Sequence, residues 1–240
     1  MNEILSIDLD FILEPCINLY NDLINNKIPK QKVWNDIEKK RSISRHIQYD
    51  LNRLNFIKEL FNFNCPYYFG NDHSSIINAI AKNNDLIFPL NIYNIDHHHD
   101  IHYNKEQEDD CFLLNIAECG NWVGYLNAHD IINKYYWIRN ENSSDFMGDR
   151  LTAPVIEELY FNNYTIESLL NKKFSMVYIT SSWQFFAPQL EKMLIEIFNE
   201  LLQKQPNTYL FGNEVSHPGI ICFNYFKDEM KIFKKEENKI

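Results

Sequence analysis

Hydrophobic positions first gather in residues 4–12, where β-forming side chains surround two aspartates, Asp8 and Asp10; the pattern predicts a buried strand with acids near its end. Residues 46–62 place Ile47, Leu51, Leu54, Ile57 and Phe61 on one stripe at helical spacing, which predicts an amphipathic helix. Residues 65–69 predict a short strand, 70–74 a polar turn and 75–81 a helix start, so His73 falls where a strand hands over to a helix. A further strand over 90–95 runs directly into Asp96-His97-His98-His99-Asp100. Beyond it, 105–110 reads as a charged loop, 116–127 as a helix, 135–138 and 176–180 as strands, and 188–202 as a long helix with an apolar stripe. The last dozen residues are rich in Lys and Glu and are expected to fray.

This alternation of strands and helices, without repeats or low-complexity linkers, predicts a single α/β domain over residues 1–240. The expected architecture is three-layered and doubly wound around a mostly parallel sheet. Ligands in such folds collect at the carboxyl ends of strands, where all three acid/His clusters are predicted to lie.

Composition narrows the function classes. With 240 residues, 45% of them hydrophobic and 15% aromatic, the chain is long and apolar enough for a sizeable core. Its 23 Lys+Arg against 33 Asp+Glu leave a net charge of -10, which argues against the basic stripe of a nucleic-acid binder. No Gly-rich phosphate loop occurs, and no run approaches the roughly 18 apolar residues of a membrane span. Met1-Asn2-Glu3 does not open a secretory signal, so a cytoplasmic protein is expected. The five cysteines Cys16, Cys65, Cys111, Cys119 and Cys222 are scattered and odd in number, and are read as reduced thiols.

The chemistry concentrates in 96–100. If that segment is extended, alternation sends Asp96, His98 and Asp100 to one side and His97 and His99 to the other. The first set is a carboxylate–imidazole–carboxylate row suited to Mn²⁺ or Fe²⁺, and bridging carboxylates allow a pair of ions; the alternative is a His-rich loop that caps the sheet. Asp8 and Asp10 form a second pair, and two like charges buried together call for a cation; solvent-facing carboxylates or a helix cap are the alternative. His73 adds an imidazole at a third strand end.

Gly70-Asn71-Asp72-His73-Ser74 resembles the GGDHS motif of the ureohydrolase (arginase/agmatinase) superfamily, Asp96 to Asp100 resembles its DxHxD motif, and Ser6-Ile7-Asp8-Leu9-Asp10 resembles its SxDxD motif. The resemblance implies an arginase-like fold and two Mn²⁺: one held by His73, Asp96, Asp100 and Asp8, the other by Asp96, His98, Asp8 and Asp10. The motif order is permuted, since SxDxD comes last in arginases and first here. With Cys119-Gly120-Asn121-Trp122 following, the chain is similar to the small bacterial branch that includes peptide arginases, which convert arginine to ornithine within ribosomally made peptides. Two features depart from the pattern. Asp10 is followed by Phe11-Ile12-Leu13-Glu14-Pro15, one residue longer than the family's DxxDP, and Trp122-Val123 stands near the place of the arginase histidine that follows DxHxD.

The implied partner is an arginine-containing peptide, with neither nucleic acid nor membrane involved. A metal pair held there would supply hydroxide for attack on a guanidinium carbon, and Asp100 is the residue expected to orient it and relay its proton. Glu118, Asn121, Trp122 and Trp183 are candidates to line the cationic substrate, the alternative for the two tryptophans being ordinary packing. Two other functions remain open: a haloacid-dehalogenase-like Mg²⁺ phosphohydrolase using Asp8 and Asp10, which would leave His73 and 96–100 unexplained, and a peptide-binding module without catalysis.

Overall fold

The computed structural model describes residues 2–13, 48–70, 72–141, 143, 156–182 and 190–211. Among the described residues, seven strands form one sheet: β1 (Glu3–Asp8), β2 (Tyr67–Gly70), β3 (Leu90–Ile95), β4 (Ile132–Arg139), β5 (Ile156–Tyr160), β6 (Met176–Thr180) and β7 (Tyr209–Leu210). Their order is β5-β4-β3-β1-β6-β2-β7, and every pairing is parallel. From β1 the chain crosses to β2 on one side, returns to β3 on the other and proceeds outward to β5 before coming back to β6. The central strand β1 thus sits where the winding reverses.

Each strand distributes its side chains to two cores. Leu5 and Ile7 of β1, Tyr93 and Ile95 of β3, and Val177 and Ile179 of β6 face one core. It is completed by α1 (Leu51–Glu59), Leu169 of α5 (Asn163–Leu170), and Leu194, Ile197, Phe198 and Leu201 of α6 (Glu191–Lys204). Ile4, Ile92, Met176 and Tyr178 belong to the opposite core, with α2 (Ile76–Lys82) and α4 (Trp122–Ala128). Helices therefore cover both faces. A fully buried parallel sheet explains the near-continuous apolar reading of β1, β3 and β6.

Several expected boundaries move. The block 4–12 is not one strand: β1 stops at Asp8, whose Oδ1 accepts the Asp10 N–H at 3.0 Å and turns residues Leu9–Ile12 into a tight 3-10 turn. Of the helix expected over 46–62, residues 46 and 47 lie outside the described residues, and the helix starts at Leu51, because Asp50 caps it by accepting from Asn52 and Arg53 N–H. Leu51 is exposed rather than on the stripe, whereas Leu54, Ile57 and Phe61 are buried. The charged loop at 105–110 is instead a short helix, α3 (Lys105–Asp109), capped by Asn104, with an i,i+4 pair between Lys105 and Asp109. A wide turn, Asp110–Leu114, follows it.

The helix expected over 116–127 forms only from Trp122, after a turn in which Asn121 N–H bonds Glu118 O and Asn121 Oδ1 accepts Glu118 N–H. The long helix expected over 188–202 is α6, and residues 188 and 189 lie outside the described residues. So do Trp183, Cys16, Cys222 and the C-terminal dozen. No helix of the described residues is long and apolar enough to cross a membrane.

Candidate metal centre

The polar residues of the central strands share one face. On β1, Ile4, Ser6 and Asp8 alternate toward the α2/α4 side; on β3, Ile92, Asn94 and then Asp96 do the same. Register pairs Ser6 with Asn94 and with Tyr178, and Asp8 with Thr180. The carboxyl edge of the sheet therefore becomes polar within a few residues at the switch point.

His73 enters from the turn between β2 and α2. Asp72 caps that turn by accepting the Ser74 N–H at 2.8 Å, and Tyr178 donates its hydroxyl proton to Asp72 O at 2.6 Å. Gly70 permits this approach, since a Cβ there would meet the Tyr178 hydroxyl. His73 Nε2 lies 2.7 Å from Ser6 Oγ. A ring that donates Nε2–H to Ser6 presents its Nδ1 lone pair to the carboxylates beyond, the orientation a metal ligand needs. That Nδ1 is 3.5 Å from Asp8 Oδ2, 3.2 Å from Asp96 Oδ2 and 3.0 Å from Asp100 Oδ2.

A second set meets on the other oxygen of Asp96. His98 Nδ1 lies 3.4 Å from Asp96 Oδ1 and 3.8 Å from Asp10 Oδ2. Asp8, His73 and Asp96 form one group able to hold a metal ion, and Asp10, Asp96 and His98 another. The residues fit cations chemically. Asp10 is fully buried, yet neither of its carboxylate oxygens has a hydrogen-bond partner. An acid left this way is costly unless a cation or a proton neutralises it.

The segment 96–100 achieves its division of side chains by bending rather than by staying extended. Asp96 Oδ1 accepts the His98 N–H at 2.8 Å, and Asp100 takes the left-handed conformation with φ 52°. Asp96, His98 and Asp100 still face the acid cluster. His97 turns away to Leu13 O and Ser143 Oγ, each at 2.9 Å, and packs on Phe11; His99 stacks on Tyr103.

Electrostatics follow from burial and crowding. Burial and the neighbouring Asp96 raise Asp8, and burial with Asp8 and Asp96 raises Asp10 well above the carboxylate range. Burial and Asp96 push Asp100 up to about 7. Asp96 is buried too, but hydrogen bonds and charge from His73 and His98 hold it far below its ordinary value. Burial alone would lower His73; its bonds to Asp100, Asp8 and Asp96 outweigh this and raise it well above 6.5. Burial, reinforced by the charge of His98, lowers His97 to about 3.

The candidates for substrate contact are placed differently from one another. Glu118 is exposed. Asn121 and Trp122 are fully buried, so neither forms an open wall; Trp122 donates Nε1–H to Asp100 Oδ2 at 2.7 Å and packs on the His73 ring. Trp183 lies outside the described residues. Supporting groups that motif matching did not single out are Ser182, whose hydroxyl donates to Asp8 Oδ2 from a backbone with φ 38°, and Asn94, which links Asp96 to the Tyr135 hydroxyl. Alternation from Asp96 back along β3 could have pointed to Asn94; nothing local marks Ser182. The chain matches no protein-family model, no curated protein and no solved structure.

Proposed function

We propose that the chain is a dinuclear Mn²⁺ hydrolase of guanidinium groups that converts arginine within a peptide to ornithine and releases urea. The observation that carries this reading is Asp96, which turns one oxygen toward His73 and the other toward His98, the geometry of a carboxylate shared by two ions. The three resemblances to ureohydrolase motifs support it, and an arginase-like fold with permuted motif order is part of the same proposal. Bound there, the two ions would draw the pKa of a water toward neutrality and supply hydroxide at neutral pH.

The protein's own groups then have defined tasks. Asp100, near 7 and held by the Trp122 N–H, takes the proton of the attacking water. The water oxygen bonds the guanidinium carbon, the bond from that carbon to the chain nitrogen breaks, and Asp100 hands the proton to the leaving amine. Urea and an ornithine side chain remain. Glu118 and the net charge of -10 favour a cationic substrate. No segment resembles the arginase loops that bind the α-amino and α-carboxylate groups of free arginine, which favours an arginine internal to a peptide. Free thiols at Cys65, Cys111 and Cys119 suit a cytoplasmic enzyme.

The test is urea release from an arginine-containing peptide, free arginine and agmatine by protein loaded with Mn²⁺, together with metal analysis. The expected result is two Mn per chain and the highest kcat/KM on a peptide. Higher kcat/KM on agmatine or free arginine than on every peptide tried would replace this reading with a small-molecule ureohydrolase. Mg²⁺-dependent phosphate release instead would favour the phosphohydrolase.

A further inference from the structure

The chain leaves the candidate site at Asp100 and returns to it at Trp122, and the residues between form one excursion closed at its base. Val123 donates its N–H to Asp100 O at 3.0 Å, beside the bond from Trp122 Nε1 to Asp100 Oδ2. Gly124 sits so close to the outgoing strand of chain that a Cβ would collide with Ile101 O. The outgoing limb is Tyr103 and α3; the wide turn Asp110–Leu114 follows and ends at Asn115 in the left-handed conformation, φ 56°. On the return, Ile116 N–H bonds Asp110 O and Cys111 Sγ contacts Asn121 O.

The tip carries large apolar side chains outward: Phe112 is 41% exposed, Leu113 72%, Leu114 62% and Ile116 43%. Four such residues in five positions gather exposed apolar side chains on one short stretch of chain, and clustered apolar exposure of this kind marks a contact site in a folded protein. Its flanks carry Glu106, Glu108, Asp109, Asp110 and Glu118 against Lys105 alone, and that lysine is already paired with Glu108 and Asp109. An acidic rim disfavours a second copy of this chain, which would bring the same rim and a net charge of -10. It suits a cationic peptide with apolar side chains.

We propose that this tip docks the peptide that presents the arginine, and that it selects substrates with an apolar residue a few positions from that arginine. The proposal rests on the peptide-arginine reading above. Spacing follows from geometry. Cys111 in the wide turn packs against Asn121 O and beside Gly124 at the base, and the exposed side chains begin at the next residue, so base and tip are separated by a span of up to about 15 Å that an extended peptide covers within about five residues at roughly 3.3 Å each.

The test uses fluorescein-labelled, end-blocked peptides in a Gly/Ser background with one central ornithine, the product residue, which cannot turn over. One set carries two leucines four and five positions before the ornithine, one set carries them after it, and a control carries serines. Anisotropy with the Mn²⁺-loaded full chain should show one leucine set binding about tenfold more tightly than the control, about 1.4 kcal/mol. The double variant Leu113→Ser/Leu114→Ser should bring that ratio close to one while keeping the wild-type melting temperature and metal content. Equal binding of all peptides, an unchanged ratio in the variant, or a wild-type dimer that the variant converts to monomer would overturn the docking surface. Leucine preference in binding without urea release from the matching arginine peptides would sustain the surface and overturn the hydrolase reading.

Discussion

At the scale of single residues, His97 and His98, neighbours within 96–100, separate a packing role from a ligand role. His97 is fully enclosed, bonded through both ring nitrogens, and held neutral with a pKa of about 3. His98 alone among the six candidate ligands is partly exposed. We expect His98→Ala to lower metal content with little effect on the melting temperature of the metal-free protein. His97→Ala should keep both ions yet lose about 3 kcal/mol, because it opens a cavity and strands Leu13 O and Ser143. Metal analysis and calorimetry on the two variants check this; equal loss of metal from both would refute the division. The lowered pKa of His97 adds a sign. Its neutral burial contributes stability that is fully present above about pH 6.5 and is lost as pH falls from there toward about 3. His97→Gln should therefore flatten the acid limb of the stability curve relative to wild type. The ligand side of 96–100 matches the alternation read from the sequence, but the chain reaches it through a bend at Asp96 and a left-handed Asp100, which were not legible because side chains there accept local backbone N–H groups, Asp96 from His98 and His99 from Ile101.

At the scale of elements, the sequence reveals those whose burial is complete and hides those whose burial is partial. β1, β3 and β6 are covered on both faces, so they read as apolar runs. β5 is an edge strand of mixed character, Ile-Glu-Glu-Leu-Tyr, and β7 is two residues long, so neither carries an apolar pattern that marks it, and α5, which buries Thr165 and Leu169, is equally faint. The end of β1 failed differently: Asp10 lies on a tight turn rather than on the strand, because Asp8 captures its N–H. That turn is held from a distance by α1. Arg53, buried on α1, donates from NH1 to Phe11 O and Leu13 O, both at 2.9 Å, while its Nε bonds Asp50. Arg53→Met should cost about 3 kcal/mol, since two buried carbonyls lose a charged donor. It should also weaken metal retention in the Asp10, Asp96 and His98 group more than in the Asp8 group. Urea melts with metal analysis test both parts, and an unchanged Asp10-side ion would show that the turn does not need its distant tie.

At the scale of the whole molecule, the all-parallel sheet concentrates four carboxylates and two imidazoles where its winding reverses, and folding must bury them together. The protein handles this charge in opposite ways at different groups. Asp8, Asp10 and Asp100 are raised, so between their unfolded value of about 4 and their folded values the native state holds extra protons, and their contribution to stability falls as pH rises. Asp96 is lowered and contributes in the reverse sense, its stabilisation being lost only as pH falls below its unfolded range. His73, raised well above 6.5, contributes below its unfolded value and loses that contribution as pH climbs through its folded one. A divalent cation bound there would displace the protons of His73, Asp100, Asp8 and Asp10, so its affinity should increase with pH until those protons are gone. Binding at a hundredfold excess over Kd adds about 2.7 kcal/mol, or about 5–10 °C in melting temperature for a chain of this size. The expected outcome is a gap between Mn²⁺-loaded and EDTA-treated protein that is small at pH 5 and widens toward pH 8. Titration calorimetry in buffers of different ionisation enthalpy should show about one or more protons released per ion near pH 6.5. A gap constant across that range, with no proton release, would mean that the acid cluster is not where the ions bind.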